Sequence, residues 1–129
     1  MSQLLRALLL GLALAAFVAG CRHAPILNVV DAPVVANKPP SMQDVQDAIT
    51  RAGAALGWRM QPVKPGLMQG TLNLRTHTAV VEIPYSTTAF SIKYKDSVNL
   101  DYTGDSIHSN YNGWIQNLEK GIRAQLQNL

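Results

Sequence analysis

The sequence predicts an α+β domain built as a two-layer sandwich, in which two helices cover one face of a four-stranded antiparallel meander sheet. Apolar residues recur every three or four positions in 42–56 and again in 110–126, which is the period of an amphipathic helix. Between these stretches, apolar and polar residues alternate over 58–95, as in strands with one buried face. The predicted order is therefore α-β-β-β-β-α, in one domain over residues 41–129.

The first helix is predicted over residues 42–56. Ser41 is a favourable N-cap residue, and Asp44 can complete a capping box with it. Gly57 suits the left-handed conformation that ends many helices. The apolar stripe of this helix consists of Val45, Ala48, Ile49, Ala52 and Leu56.

Four alternating segments follow and predict the strands of the meander. They cover residues 58–63, 68–75, 79–85 and 90–95. Lys64-Pro65-Gly66 suits a type II turn, and Ser86-Thr87-Thr88 marks another turn. Pro84 cannot donate a hydrogen bond to a neighbouring strand, so we expect it near a strand end or a bulge. Thr76-His77 is a poor two-residue turn, so a longer or bulged connection is expected there.

The C-terminal part combines an irregular stretch with a second helix. Residues 96–107 are predicted to be irregular, although Val98, Leu100 and Tyr102 continue the alternation and leave open a short additional strand. Either Ser109 or Asn110 can cap the final helix. Its apolar stripe consists of Tyr111, Trp114, Ile115, Leu118, Ile122 and Leu126. Because each element has one apolar face, both helices are expected on the same side of the sheet.

Residues 21–40 are predicted to form the N-terminus of the mature chain and a proline-rich tether. Four prolines in this stretch disfavour a helix, and a flexible coil of this length would average about 25 Å from end to end. However, 26–30 and Val34-Val35 are too apolar for a fully solvated linker. They could add a strand to the edge of the domain or bind a partner, and we favour the edge strand.

The first twenty residues have the pattern of a secretory signal peptide. Arg6 supplies a positive charge, residues 7–19 are apolar apart from Gly11, and Ala19-Gly20 are small residues suited to a cleavage site. The apolar run is shorter than the ~20 residues that a membrane-spanning helix needs. Residues 1–20 are therefore predicted to be removed on export.

Val18-Ala19-Gly20-Cys21 contains the only cysteine of the chain and resembles the lipobox of bacterial lipoproteins. The resemblance implies that Cys21 is lipidated by a diacylglycerol and becomes the N-terminus, anchored in membrane lipid. A plain secreted protein with a cysteine near its cleavage site is the alternative. Arg22, in place of an aspartate, implies by the same resemblance an outer-membrane lipoprotein that faces the periplasm of a Gram-negative cell.

Several short strings between residues 41 and 123 also resemble a family of small proteobacterial lipoproteins without an assigned function. These strings are Gly57-Trp58, Val63-Lys64-Pro65-Gly66, Tyr85-Ser86-Thr87, Ile92-Lys93-Tyr94-Lys95-Asp96-Ser97 and Asn110-Tyr111-Asn112-Gly113-Trp114. The resemblance supports the predicted location and fold. It implies no catalytic residues.

Composition and motif spacing argue against several classes of function. The 11 Lys and Arg residues exceed the 8 Asp and Glu residues only slightly and do not cluster, so no nucleic-acid partner is expected. His23, His77 and His108 lack the paired spacing of structural zinc sites, and we expect neither a metal nor another cofactor. Ser106 and His108 allow a hydrolase, but two residues in one loop are weak support for that chemistry.

Two groups of residues remain as candidate binding surfaces. Arg59, Arg75, Lys93 and Lys95 could share the polar face of the sheet and contact anionic envelope material or another protein. The second group could line a groove for a small ligand, a glycan or a lipid, or could belong to the core. It consists of Tyr102, Asn110, Tyr111, Asn112 and Trp114. We therefore predict a non-enzymatic binding or scaffold module, with ligand binding as the alternative and hydrolysis as the least favoured function.

Overall fold

The computed structural model describes residues 22–129, so the predicted signal peptide and Cys21 lie outside the described residues. No helix in 22–129 is long and apolar enough to cross a membrane. Seven strands and two helices follow one another along this range. They are β1 (His23–Pro25), β2 (Val29–Pro33), α1 (Met42–Ala55), β3 (Trp58–Lys64), β4 (Leu67–Leu74), β5 (His77–Pro84), β6 (Ala89–Val98), β7 (Ser106–His108) and α2 (Ser109–Gln127).

The α+β class with two helices and an antiparallel sheet is confirmed, but the main sheet has five strands and not four. Its order is β2-β6-β5-β4-β3, and β1 and β7 form a separate antiparallel pair. The four predicted strands are β3 to β6, paired as a meander. β2 adds to the outer edge of β6, where Val29 pairs with Ile92 and Pro33 with Ala89. Both edge strands contain a proline, Pro33 in β2 and Pro62 in β3.

The core lies between one face of the main sheet and the two helices. Strands β4 and β5 bury every second residue, and the stripes of α1 and α2 belong to the same apolar cluster. Fully buried members with large side chains include Ile49, Met68, Ile83, Phe90, Ile92, Ile115 and Leu126. The opposite face of the sheet carries the polar residues of the alternation.

Helix α1 begins as the sequence predicts. The Ser41 hydroxyl accepts a hydrogen bond from the Asp44 amide (3.0 Å), and the Asp44 carboxylate accepts one from the Ser41 amide (2.9 Å). These hydrogen bonds lower the pKa of Asp44 from its usual 3.8, and the bond from the Ser41 backbone amide has the largest effect. At the other end, Gly57 adopts a φ of 86°, which a residue with a side chain rarely does.

Two local predictions are wrong. The β4–β5 connection has two residues, because Leu74 pairs directly with His77. Arg75 makes this short turn by adopting a φ of 56°, and Asn99 supports it by donating a hydrogen bond to Thr76 (2.9 Å). Helix α2 is capped by neither of the expected residues. His108 is its N-cap, and its Nδ1 accepts a hydrogen bond from the Asn110 amide (3.2 Å).

The antiparallel strands place the connections of the chain at two opposite ends of the sheet. The β4–β5 end contains the Arg75-Thr76 turn, residues 99–105 and the β1–β7 pair. The His108 amide of β7 donates a hydrogen bond to the Leu100 carbonyl (2.8 Å) and so joins this pair to residues 99–105. The β3–β4 end contains Pro65-Gly66 and residues 85–88, joined by a bond from the Tyr85 amide to the Gly66 carbonyl (2.9 Å). The described chain begins at the β4–β5 end.

Candidate functional site

The polar face of the sheet holds three of the four basic residues that the sequence singles out. Arg59 and Lys93 are exposed on β3 and β6, and Lys93 lies directly opposite Glu82 of β5. Lys95 donates a hydrogen bond to the Gln69 side chain (2.9 Å), and its Nζ lies 3.5 Å from a carboxylate oxygen of Glu82. The face is thus a charged and hydrogen-bonding surface spread over four strands.

A β-bulge adds a carboxylate to this face. The β5–β6 register shifts between Val80 and Val81, so that Val80 pairs with Asp96 and Val81 with Tyr94, while Lys95 is the extra residue between them. Asp96 therefore shares the polar side of β6 with Lys93. Sequence reasoning missed Asp96, because the predicted strand ends at Lys95, whereas β6 continues to Val98. The polar face consequently has mixed charge.

Arg75 does not lie on the polar face of the sheet. It is exposed in the β4–β5 turn, beyond the last residue pair of those strands. Arg59, in contrast, pairs with Thr71 in the middle of β4. The structure therefore brings together Arg59, Lys93 and Lys95 and leaves Arg75 at the end of the sheet.

Two tyrosines of the predicted aromatic region, Tyr102 and Tyr111, form an aromatic stack with Tyr94 that extends from the core to the surface. The Tyr94 ring stacks on that of Tyr102, with centroids 4.2 Å apart, and meets Tyr111 edge-on at 5.8 Å. Tyr111 has no exposed surface, whereas Tyr102 is 46 % exposed. Burial raises the pKa of both Tyr94 and Tyr111 above its usual value. Only Tyr102 of this stack offers substantial surface to a ligand.

The asparagines beside this stack bind the protein's own backbone. Asn112 donates a hydrogen bond from its side chain to the Pro25 carbonyl (2.8 Å) and accepts one from the Leu27 amide (3.0 Å). Asn112 therefore fixes the segment between β1 and β2. Asn110 is exposed in the first turn of α2, and Trp114 is partly buried against the core. These contacts favour a structural role for the aromatic region over a ligand-binding groove.

Tyr111→Phe is expected to stabilise the fold. Within residues 22–129, the buried Tyr111 hydroxyl has no hydrogen-bond partner, and burying such a group costs free energy. We expect the substitution to raise the free energy of unfolding by about 1 kcal/mol, measured by urea denaturation.

Tyr85→Phe is the matched control, because the Tyr85 hydroxyl donates a hydrogen bond to the Gln46 side chain (2.9 Å) and the residue is also buried. This change should lower stability by a similar amount. Loss of stability in Tyr111→Phe would show that its hydroxyl has a partner after all.

The Ser106–His108 pair is part of the attachment of the N-terminal strand. The Ser106 hydroxyl shares a hydrogen bond with that of Thr103 (3.0 Å), and His108 uses its Nδ1 to cap α2. Asp101 is directed to another histidine, with its carboxylate 3.4 Å from Nε2 of His23. In 22–129, no three metal-binding side chains are placed to share an ion. The described contacts include no hydrogen bond between Ser106 and His108, so they give the hydrolase alternative no support.

Comparison with known proteins adds no relative to these geometric observations. No protein-family model matches the chain, and no curated protein is significantly similar to it. The functional argument therefore depends on the residues and contacts described above.

Proposed function

We propose that the protein is a periplasm-facing lipoprotein, anchored through Cys21, whose domain binds another component of the cell envelope without catalysing a reaction. The observation that carries this proposal is the polar face of the sheet. Neither helix covers it, and it presents Arg59, Lys93 and Lys95 together with Glu82 and Asp96. The lipobox-like sequence before the domain supports the anchor.

The charge pattern of the face favours a protein partner. Lys95 is already close to Glu82, and Lys93 lies opposite the same carboxylate. An anionic polymer would therefore meet carboxylates as well as basic groups. A protein surface can match alternating charges residue by residue, and such complementarity fixes the register and specificity of binding.

Charge reversal on the polar face should abolish partner capture. We expect Lys93→Glu to place a like charge opposite Glu82 and, combined with Arg59→Glu, to reverse the basic part of the face and repel a complementary partner. The measurement is crosslinking in intact cells, followed by mass spectrometry of the proteins captured by the unchanged chain and by the variant.

Lys120→Glu is the matched control, because Lys120 is exposed on α2, away from the sheet face. This variant should capture the same partner as the unchanged chain. Equal capture by the double variant, or no reproducible partner for the unchanged chain, would contradict the proposed function.

A further inference from the structure

We infer that the lipid anchor holds the domain with its β4–β5 end directly at the phospholipid headgroups and its β3–β4 end facing away from the membrane. The inference rests on the proposed lipidation of Cys21. It adds an orientation and a membrane-contacting surface to the proposed function, and it follows from how firmly the structure fixes the first described residues.

The N-terminal segment is part of the folded domain from His23 onward. His23 and Pro25 of β1 pair with His108 and Ser106 of β7. Immediately afterwards, the Ile26 amide donates a hydrogen bond to the Asp105 carbonyl (3.2 Å). Asn112 binds the backbone on both sides of Ile26, and the Asn28 side chain accepts a hydrogen bond from the Tyr94 amide (2.9 Å). Residues 23–28 are therefore held by hydrogen bonds and do not form a flexible spacer.

The chain length between the anchor and the domain is therefore very short. Only Arg22 separates Cys21 from β1, and two Cα–Cα steps span at most about 7.6 Å. A 19-residue coil, in contrast, would separate anchor and domain by about 25 Å on average. The lipidated residue must consequently lie next to β1, and the β4–β5 end must lie next to the headgroups.

The side chains at this end are suited to contact with a lipid surface, but their mixed charge gives no strong electrostatic attraction to it. Nε2 of His23 lies 3.4 Å from the exposed carboxylate of Asp101, and Arg22 and Asp105 are exposed at the same end, so the local charge is mixed. Tyr102 presents an exposed ring with a polar tip, a side-chain type that is enriched at membrane interfaces. The acyl chains, and not electrostatic attraction, should set the orientation.

The other end of the sheet is then far from the membrane. Strand β5 runs the length of the sheet from His77 to Pro84, and eight residues of antiparallel strand span roughly 25 Å. The β3–β4 end carries exposed apolar residues, among them Met42 and Val63. It would thus be presented to the periplasmic space.

Single fluorescent labels at the two ends test this orientation. The diacylglycerol blocks the thiol of Cys21, so an introduced cysteine is the only free thiol in the acylated protein. Leu74→Cys lies at the β4–β5 end and Val63→Cys at the β3–β4 end, and the two native side chains are similarly exposed, 45 % and 55 %. The acylated full chain carrying either label is placed in phosphatidylethanolamine–phosphatidylglycerol vesicles that contain a headgroup-linked nitroxide quencher.

We expect the label at position 74 to lose most of its fluorescence and the label at position 63 to keep most of it. A 15-residue Gly-Ser insertion between Arg22 and His23, with a root-mean-square span of about 20 Å, should reduce this difference strongly. Equal quenching at both positions without the insertion, or stronger quenching at 63, overturns the orientation while leaving the anchor intact. If the full chain recovered from cells carries no diacylglycerol and does not float with vesicles, the proposed lipidation is overturned and the orientation with it.

Discussion

A chain that begins at Ser41 should be strongly destabilised compared with one that begins at Arg22, both without lipid. The shorter chain lacks β2, which buries Val29 and Ala32 in the core and covers the edge of β6. It also lacks the partly buried Ile26, Leu27 and Val34. Full burial of one aliphatic side chain contributes about 1.5–3 kcal/mol. We expect a loss of about 5 kcal/mol, which is comparable to the whole stability of a small domain.

Urea denaturation followed by circular dichroism measures this loss as a lower unfolding midpoint or as absence of a cooperative transition. The control is the chain from Arg22 with Val30→Ser and Val35→Ser, because both valines are more than half exposed, 63 % and 56 %. Removing these two apolar side chains should change stability by less than about 0.5 kcal/mol each. Identical midpoints for the two starting points would mean that 22–40 does not contribute to the fold.

Cys21→Ser should release the protein from the membrane almost completely. The hydroxyl cannot take the place of the thiol that the predicted lipidation uses, so the chain would carry no diacylglycerol. Each buried methylene of an acyl chain contributes about 0.8 kcal/mol to membrane binding, and stable anchoring needs more than one chain. Labelling of cells with a fatty-acid analogue, together with fractionation of membrane and soluble proteins, measures the effect.

Arg22→Gln serves as the control for this experiment because it leaves the thiol and the preceding small residues in place. It should be labelled and should remain in the membrane fraction. Labelling of Cys21→Ser, or unchanged fractionation, would contradict the predicted lipidation. The fold of the domain should not differ between these variants, since both changes precede β1, which begins at His23.

The sequence predicts the helices and the central strands well because their signals are local. Ser41 and Asp44 are three residues apart and form the predicted capping box. The predicted helix 42–56 is observed as Met42–Ala55. Pro84 is the last residue of β5, as expected for a residue that has no amide donor.

The edge strand β2 is harder to predict because its buried residues break the alternation. Val29 and Ala32 both enter the core although they are three positions apart, since Asp31 adopts a φ of 52° and shifts the register between them. Ser91 supports this shift by accepting a hydrogen bond from the Asp31 amide (2.9 Å). The apolar character of the segment indicates an edge strand, but its pairing depends on β6, about 60 residues later.

The candidate site divides in the same way between local and distant signals. Alternation places Arg59, Lys93 and Lys95 on one face, and the structure agrees. Arg75 differs because the strand ends one residue before it. The structural role of Asn112 cannot be predicted from its neighbours in sequence, because the carbonyl to which it donates a hydrogen bond belongs to Pro25, 87 positions earlier. Only the folded chain brings these groups together.

The prolines of the two edge strands have a consequence for crowding on a membrane. Acylated proteins diffuse in two dimensions, where neighbouring copies meet far more often than they would in solution. An open sheet edge is a template for pairing with another chain, and a proline removes one of its amide donors. Pro33 and Pro62 interrupt one outer edge each. If the proposed lipidation holds copies of the protein on one membrane, these prolines disfavour edge-to-edge association between them, so that each domain stays a separate unit.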